Sequence, residues 1–198
     1  MVRFTTIKQT AEAEETIEKS KFIAHIRRAD TREEAESFIV EIKHNYKDAT
    51  HNVPAFVIGE KQEIQWASDD GEPSGTSGAP MLQMIVKEGL TNVVIVVTRY
   101  FGGIKLGTGG LVRAYTGIAR KVLEYAGRNE VRDIKSLNIK VSYSILSKIQ
   151  QTAAKTNFYI SSISYEDEPV ITVSFESEFE ESVMRRLSDL TMGNYMIL

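Results

Sequence analysis

The chain has no cysteine, only three histidines, four prolines and a single tryptophan. The missing cysteine rules out disulfides, a thiolate nucleophile and cysteine-ligated metals together. Any chemistry must therefore come from carboxylates, hydroxyls, cations and very few imidazoles. No apolar run approaches the ~18 residues that suggest a membrane span, and the opening MVRFTTIKQTAEAEET has no apolar centre of signal-peptide length. A cytoplasmic protein that does not engage a membrane is the expectation. An excess of positive charge is lacking too. With 24 basic and 27 acidic residues the formal net charge is −3, which argues against broad charge-driven binding to nucleic acid and leaves a local basic patch as the only route to it. The deficit holds in both halves: residues 1–133 carry 18 basic and 19 acidic side chains, and residues 134–198 carry 6 and 8.

What is present is the composition of a globular protein, 42% hydrophobic and 26% charged over 198 residues, long enough for one large or two small domains. The most informative stretch is residues 66–120, where most of the glycines cluster. Two glycine-rich loops, Asp69 to Gly78 and Gly102 to Gly110, bracket a short helix from Pro80 to Glu88 and a strand from Val93 to Thr98. The unbroken run Val93-Val94-Ile95-Val96-Val97 predicts a strand buried on both faces. The second loop runs into an apolar-periodic helix from Leu111 to Tyr125, stopped by Gly127. Glycine lets a ligand approach backbone amides, and the first turn of a helix leaves amides unpaired with a positive dipole end, an arrangement suited to an anion. Arg99, Lys105 and Arg113 put three cations around that loop. The spacing is neither a P-loop, since Thr108 stands where the lysine is required, nor a dinucleotide fingerprint. Tight turning and close packing would use the same glycines.

In chain order, residues 1–19 read as an exposed entry strand and turn, and Lys21 to Ile26 as a strand. Thr31 with Glu34 forms a capping box, followed by the stripe Ala35, Phe38, Ile39 and Ile42 of a surface helix ending near His44 to Lys47. Val53 to Ile58 and Glu63 to Trp66 read as a hairpin around Gly59 to Gln62. A polar joint at Arg128-Asn129-Glu130 separates a second unit. There Ile134 to Tyr143, Phe158 to Tyr165, Val170 to Ser177 and Asn194 to Leu198 read as strands. Ser144 to Thr156 and Phe179 to Leu190 read as helices, with a turn at Glu166 to Pro169. Strand, helix, strand, strand, helix, strand is the ferredoxin-like plan.

His51, Asp69, Asp70 and Glu72 are the catalytic candidates, because a histidine oriented by an acid is a general base. The same make-up suits a divalent cation, but no ligand spacing supports one, and DDGEP is also an ordinary acidic turn. The hydroxyls of Ser74, Thr76 and Ser77 lack the nucleophile-elbow spacing and suit capping of the Pro80 helix. Tyr100, Phe101 and Tyr115 flank the second loop, where aromatics beside cations can stack unpaired bases and can equally be core residues. No cofactor and no metal are expected.

The segments Tyr46 to Asn52 (YKDATHN), Ser68 to Gly78 (SDDGEPSGTSG) and Val97 to Tyr115 (VTRYFGGIKLGTGGLVRAY) closely resemble the signature of the YigZ/IMPACT family. The resemblance covers nearly the whole chain. It departs at Val53 and Pro54, where many relatives have a cysteine and an aromatic residue. It implies an α+β protein. Residues 1–132 would form a domain like the second domain of a small-subunit ribosomal protein and domain IV of elongation factor G, a mixed sheet with helices packed on it. Residues 133–198 would form a small ferredoxin-like sandwich similar to domain V of the same factor. Among eukaryotic relatives the family regulates translation initiation by competing for an activator of an initiation-factor kinase. The functional expectation is a noncatalytic, translation-associated protein that binds RNA or a ribosome-associated partner, without DNA sequence preference. Arg99, Lys105, Gly107, Thr108, Gly109, Gly110 and Arg113 would hold phosphate, and Tyr100 or Phe101 would stack. The alternative is an enzyme acting on a small phosphorylated or nucleotide ligand held at Gly102 to Gly110.

Overall fold

The structure, a computed structural model, describes residues 2–165 and 167–198; of the expected turn at 166–169, Glu166 lies outside the described residues. Two compact units emerge, Phe4–Val131 and Arg132–Leu198, the latter with Val2 and Arg3.

In chain order β1 (Val2–Ile7) is followed by β2 (Ala11–Ile17), β3 (Ser20–Arg28), α1 (Arg32–Asn45), β4 (His51–Ile58) and β5 (Ile64–Ala67). Next come α2 (Gly78–Lys87), β6 (Val93–Tyr100), α3 (Gly107–Ala126) and β7 (Arg128–Arg132). A five-stranded sheet runs in the order β2-β3-β6-β4-β5. The mixed sheet expected from the family resemblance is instead antiparallel at every pairing. The reason is topological: α1 carries the chain from β3 to β4 in the same direction, and β6 inserts between them, antiparallel to both. The parallel pair is thereby split.

That insertion explains the apolar run. Every β6 residue from Val93 to Arg99 is buried. On one face Val93, Ile95 and Val97 pack with Phe22, Ile26 and Val53 under Met81 and Ile85 of α2 and Tyr115, Ile118 and Val122 of α3. On the other, Val94 and Val96 meet Phe38, Ile39 and Ile42 of α1. Burying side chains of this size stabilises by about 1.5–3 kcal/mol each, so the sheet centre is where the unit is anchored. Thr31 caps α1 through its hydroxyl, accepting from Glu34 N–H at 3.2 Å, while the Glu34 carboxylate accepts from the Asp30 amide at 2.7 Å.

Three local expectations differ from what is found. The N-terminal segment, expected as one exposed entry strand and turn, holds two strands, β1 and the edge strand β2, whose Ala13 is buried while Glu12 and Glu14 are exposed. The supposed joint at residues 128–130 is strand β7, which pairs with β1. Helix α3 starts at Gly107, four residues before Leu111, so the end of the glycine loop is the helix's first turn.

The second unit contains β8 (Ile134–Lys140), α4 (Tyr143–Ala153), β9 (Phe158–Ser164), β10 (Val170–Glu176), α5 (Glu180–Thr191) and β11 (Met196–Ile197). This is the strand and helix order expected. The strands lie in the order β11-β8-β10-β9, antiparallel throughout. Its separate core joins Ile139, Ile171, Val173 and Phe175 to Ile149 of α4 and Val183 and Leu187 of α5. Among the described residues no helix is long and apolar enough to cross a membrane.

Candidate functional site

The two glycine-rich loops meet over the end of β6. Strand alternation sets which groups reach that place: Arg99 follows Ile95 and Val97 at period two and points to the α2/α3 side, whereas Tyr100 points to the other. Arg99 is buried, donating to Glu72 Oε1 at 2.7 Å and to Ser20 Oγ at 3.2 Å. Its guanidinium lies 5.4 Å from the ring centres of both Phe22 and Phe101, and its Nε finds no hydrogen-bond partner among the described residues.

Glu72 is the hub. Its side chain is 3% exposed, and Oε1 accepts from Arg99 and, at 2.7 Å, from the Tyr115 hydroxyl of α3. Burial and then the Glu72 carboxylate push the Tyr115 hydroxyl well above its ordinary pKa, so it stays a phenol and a donor. Oε2 accepts no hydrogen bond among the described residues and faces His51 Nε2 at 3.8 Å. The His51 ring is oriented from behind, with Nδ1–H donating to the Asp70 carbonyl at 2.8 Å. Because a carbonyl only accepts, Nδ1 carries the proton, and in the neutral ring Nε2 is bare.

Asp70, in a left-handed conformation with φ +48°, accepts from the Asn52 amide at 2.7 Å and from Lys43 at 2.5 Å. Asp69 organises its own loop: it accepts from the amides of Gly75, Ser77 and Gly78 at 2.7, 3.1 and 2.9 Å and from the Ser77 hydroxyl at 2.7 Å. Burial opposes its charge, but these four donors outweigh it and hold its pKa below the usual carboxylate value. At Gly78 any Cβ would run into the Ser68 backbone, which accounts for glycine there.

Between the loops lies a cleft of about 440 Å³ whose lining includes His51, Glu72, Arg99, Phe101, Lys105 and Thr108. Helix α3 begins in its wall at Gly107 without any side-chain cap. Lys105 forms no ion pair or hydrogen bond among the described residues, unlike Arg99. Of the sequence candidates, His51, Glu72, Arg99, Lys105, Gly107 and Thr108 line this cleft together. Asp69 and Asp70 stand behind it as supports. Arg113 and Gly110 border a neighbouring groove with Ile17, Glu18 and Ile104, and Lys105 reaches both. Gly109 lies in the first turn of α3 near the Arg113 guanidinium. Tyr100 turns away and donates its hydroxyl to Asp48 at 3.0 Å. No cluster of three or more metal-ligating side chains occurs among the described residues. The sequence reading missed Ser20 and Asn52 and gave Tyr115 only as a flanking aromatic; the available signal was its place four residues after Leu111, on the buried stripe of α3.

With this geometry in place, the comparisons are informative. The Impact N-terminal domain family matches residues 18–123, a span that holds every residue named in the cleft. The chain is 42% identical to IMPACT family member YvyE of Bacillus subtilis over 94% of this chain and 84% of that protein. It is 31% identical to IMPACT family member YigZ of Escherichia coli, over 93% and 91%. A crystal structure of a hypothetical protein, 29% identical, superposes with a TM-score of 0.63 over 98% of this chain and 96% of that one. The chain belongs to the IMPACT family, as an α+β member with two compact units.

Proposed function

We propose that this protein is translation-associated and noncatalytic, and that it binds RNA through the cleft between its glycine-rich loops. The observation that carries the reading is Lys105, a cation without a partner among the described residues, standing in the same wall as the uncapped first turn of α3. Backbone amides with a positive helix end beside a free ammonium suit one phosphate. Phe101, 46% exposed, supplies an aromatic face next to it, and Arg113 across Gly110 extends the cationic path. The family resemblance implies a ferredoxin-like second unit similar to elongation factor domain V and a first unit similar to ribosomal domains, and that implication supports a ribosomal setting by analogy. Titrating a short unpaired RNA across a salt series tests the proposal. Phosphate contacts make log K fall with log salt, by about 0.7 per neutralised phosphate on a single strand. Absence of binding at low salt, or a flat line, removes the reading.

A second reading rests on His51. A bare imidazole nitrogen 3.8 Å from a buried carboxylate, in a cleft of small-molecule size, is equipment for proton transfer on a small phosphorylated or nucleotide ligand. Turnover that survives both His51→Ala and Glu72→Gln in a screen of phosphorylated compounds argues against it.

A further inference from the structure

The floor of the cleft carries an unusual demand. His51 Nδ1–H donates to the Asp70 carbonyl at 2.8 Å, so in that tautomer the Nε2 lone pair faces Glu72. The carboxylate answers with Oε2, which accepts from no donor among the described residues, while Oε1 is taken by Arg99 and Tyr115 at 2.7 Å each. Two acceptors thus face one another across 3.8 Å, one of them on a side chain only 3% exposed. Among the described residues no third side chain stands between them, and both residues border an open cleft. A ligand edge bearing N–H groups would meet both acceptors there in place of water.

The rest of the cleft narrows the ligand. The wall offers Lys105 and the first-turn amides of α3, the partners of a phosphate. Phe101 has Arg99 5.4 Å from its ring centre and is 46% exposed, so it has ring surface free for a planar group. Gly107, Thr108, His51 and Glu72 line one cleft of about 440 Å³, within the size range of small-ligand sites. Among the bases, adenine and cytosine set a ring acceptor beside their amino group, and uracil flanks its one N–H with carbonyls. Only guanine presents two adjacent donors, N1–H and the 2-amino group.

We infer that the cleft takes a guanine nucleotide, with the base on Phe101, its N1–H and 2-amino edge on His51 Nε2 and Glu72 Oε2, and its phosphate at Lys105 and the start of α3. This rests on the phosphate-binding reading above and adds the identity of the base. The ligand chemistry is the same for a free guanine nucleotide and for an unpaired guanosine within RNA.

The test is calorimetric titration of the full chain with GMP, IMP, AMP and CMP, followed by two short unpaired RNAs of equal length, one all-adenosine and one containing guanosine. Varying the ligand leaves the buried Glu72–Arg99 pair intact, so no folding defect intervenes. The expected order is GMP first, IMP about tenfold or more weaker for loss of the 2-amino group, and AMP and CMP weaker again, since a site built on acceptors rejects an edge that lacks donors. Phe101→Ala is expected to weaken GMP binding with the fold unchanged. A guanosine-containing RNA that outbinds the all-adenosine RNA and is displaced by GMP assigns the source to RNA; GMP binding with no RNA discrimination assigns it to the free nucleotide. Equal affinity for GMP, IMP and AMP, or no mononucleotide binding together with equal binding of both RNAs, overturns the inference. In the last case salt-dependent RNA binding would leave the phosphate reading standing.

Discussion

Replacing Glu72 by alanine is the most demanding stability test of this architecture. The substitution removes both hydrogen bonds on Oε1, leaving Arg99, whose side chain is 5% exposed, without its counter-charge and the Tyr115 hydroxyl without its acceptor. Breaking a buried ion pair from one side costs about 3–5 kcal/mol, because the remaining charge cannot recover its water. The orphaned phenol adds about 1–3 kcal/mol. Part of this is regained if Arg99 swings out past Phe101, so a net loss of about 3–5 kcal/mol is expected. Paired substitution of Glu72 and Arg99 by Gln and Met should recover much of that loss, since replacing both charges by groups of similar volume removes the desolvation penalty. Urea denaturation of the wild type, Glu72→Gln, Arg99→Met and the double variant closes the cycle, with Glu72→Ala measured beside them. A Glu72→Ala loss below about 1 kcal/mol, or a double variant no better than the single ones, would refute the claim that these buried charges depend on each other.

Further outcomes follow from other contacts. At Gly102 a Cβ would collide with the Lys19 carbonyl and the Ser20 amide; Gly102→Ala should therefore displace the β2–β3 turn and cost about 1–3 kcal/mol by denaturant titration. Asp69 has a folded pKa below its unfolded value, so its contribution is full above the unfolded value near 4 and fades as pH falls through the lower folded one. The stability gap between wild type and Asp69→Asn should shrink on that acid side, and an unchanging gap would contradict the loop account. His25 is held below its ordinary pKa by burial, against the pull of Glu12 at 3.0 Å. The stability attached to its neutral form should be complete above about pH 6.5 and decline below it, a slope that His25→Gln should flatten. In the second unit, Leu187→Ala opens a cavity in a small core and should cost about 2–5 kcal/mol.

How far the sequence anticipates this molecule depends on how local each signal is. The β6 run, the Phe38–Ile42 stripe and the strand and helix order of the second unit are carried by period and burial along the chain, and they appear where expected. Strand β2 is hidden because Glu12, Glu14 and Glu15 dominate its composition while only Ala13 is fully buried. The first turn of α3 is masked by Gly107, Gly109 and Gly110, whose low helix propensity gives way to the packing of Leu111 and Tyr115 below them. The site divides in the same way. His51, Glu72, Arg99 and Lys105 are recognisable by residue type and by the glycine loops around them. That Arg99 is neutralised by Glu72, 27 residues away, and that Asp69 spends its oxygens on its own loop are tertiary facts with no local trace. Arg99 is paired with Glu72, and Lys105, which lines the same cleft, has no partner among the described residues.

The central claim is that a phosphate of RNA sits at Lys105 and the start of α3. The most direct measurement is the binding constant of one short unpaired RNA, for wild type and Lys105→Ala, from low to moderate salt. The account predicts salt-dependent binding, weaker in the variant at every salt, with a slope of log K against log salt smaller by about 0.7. Identical constants and slopes for the two proteins would contradict it.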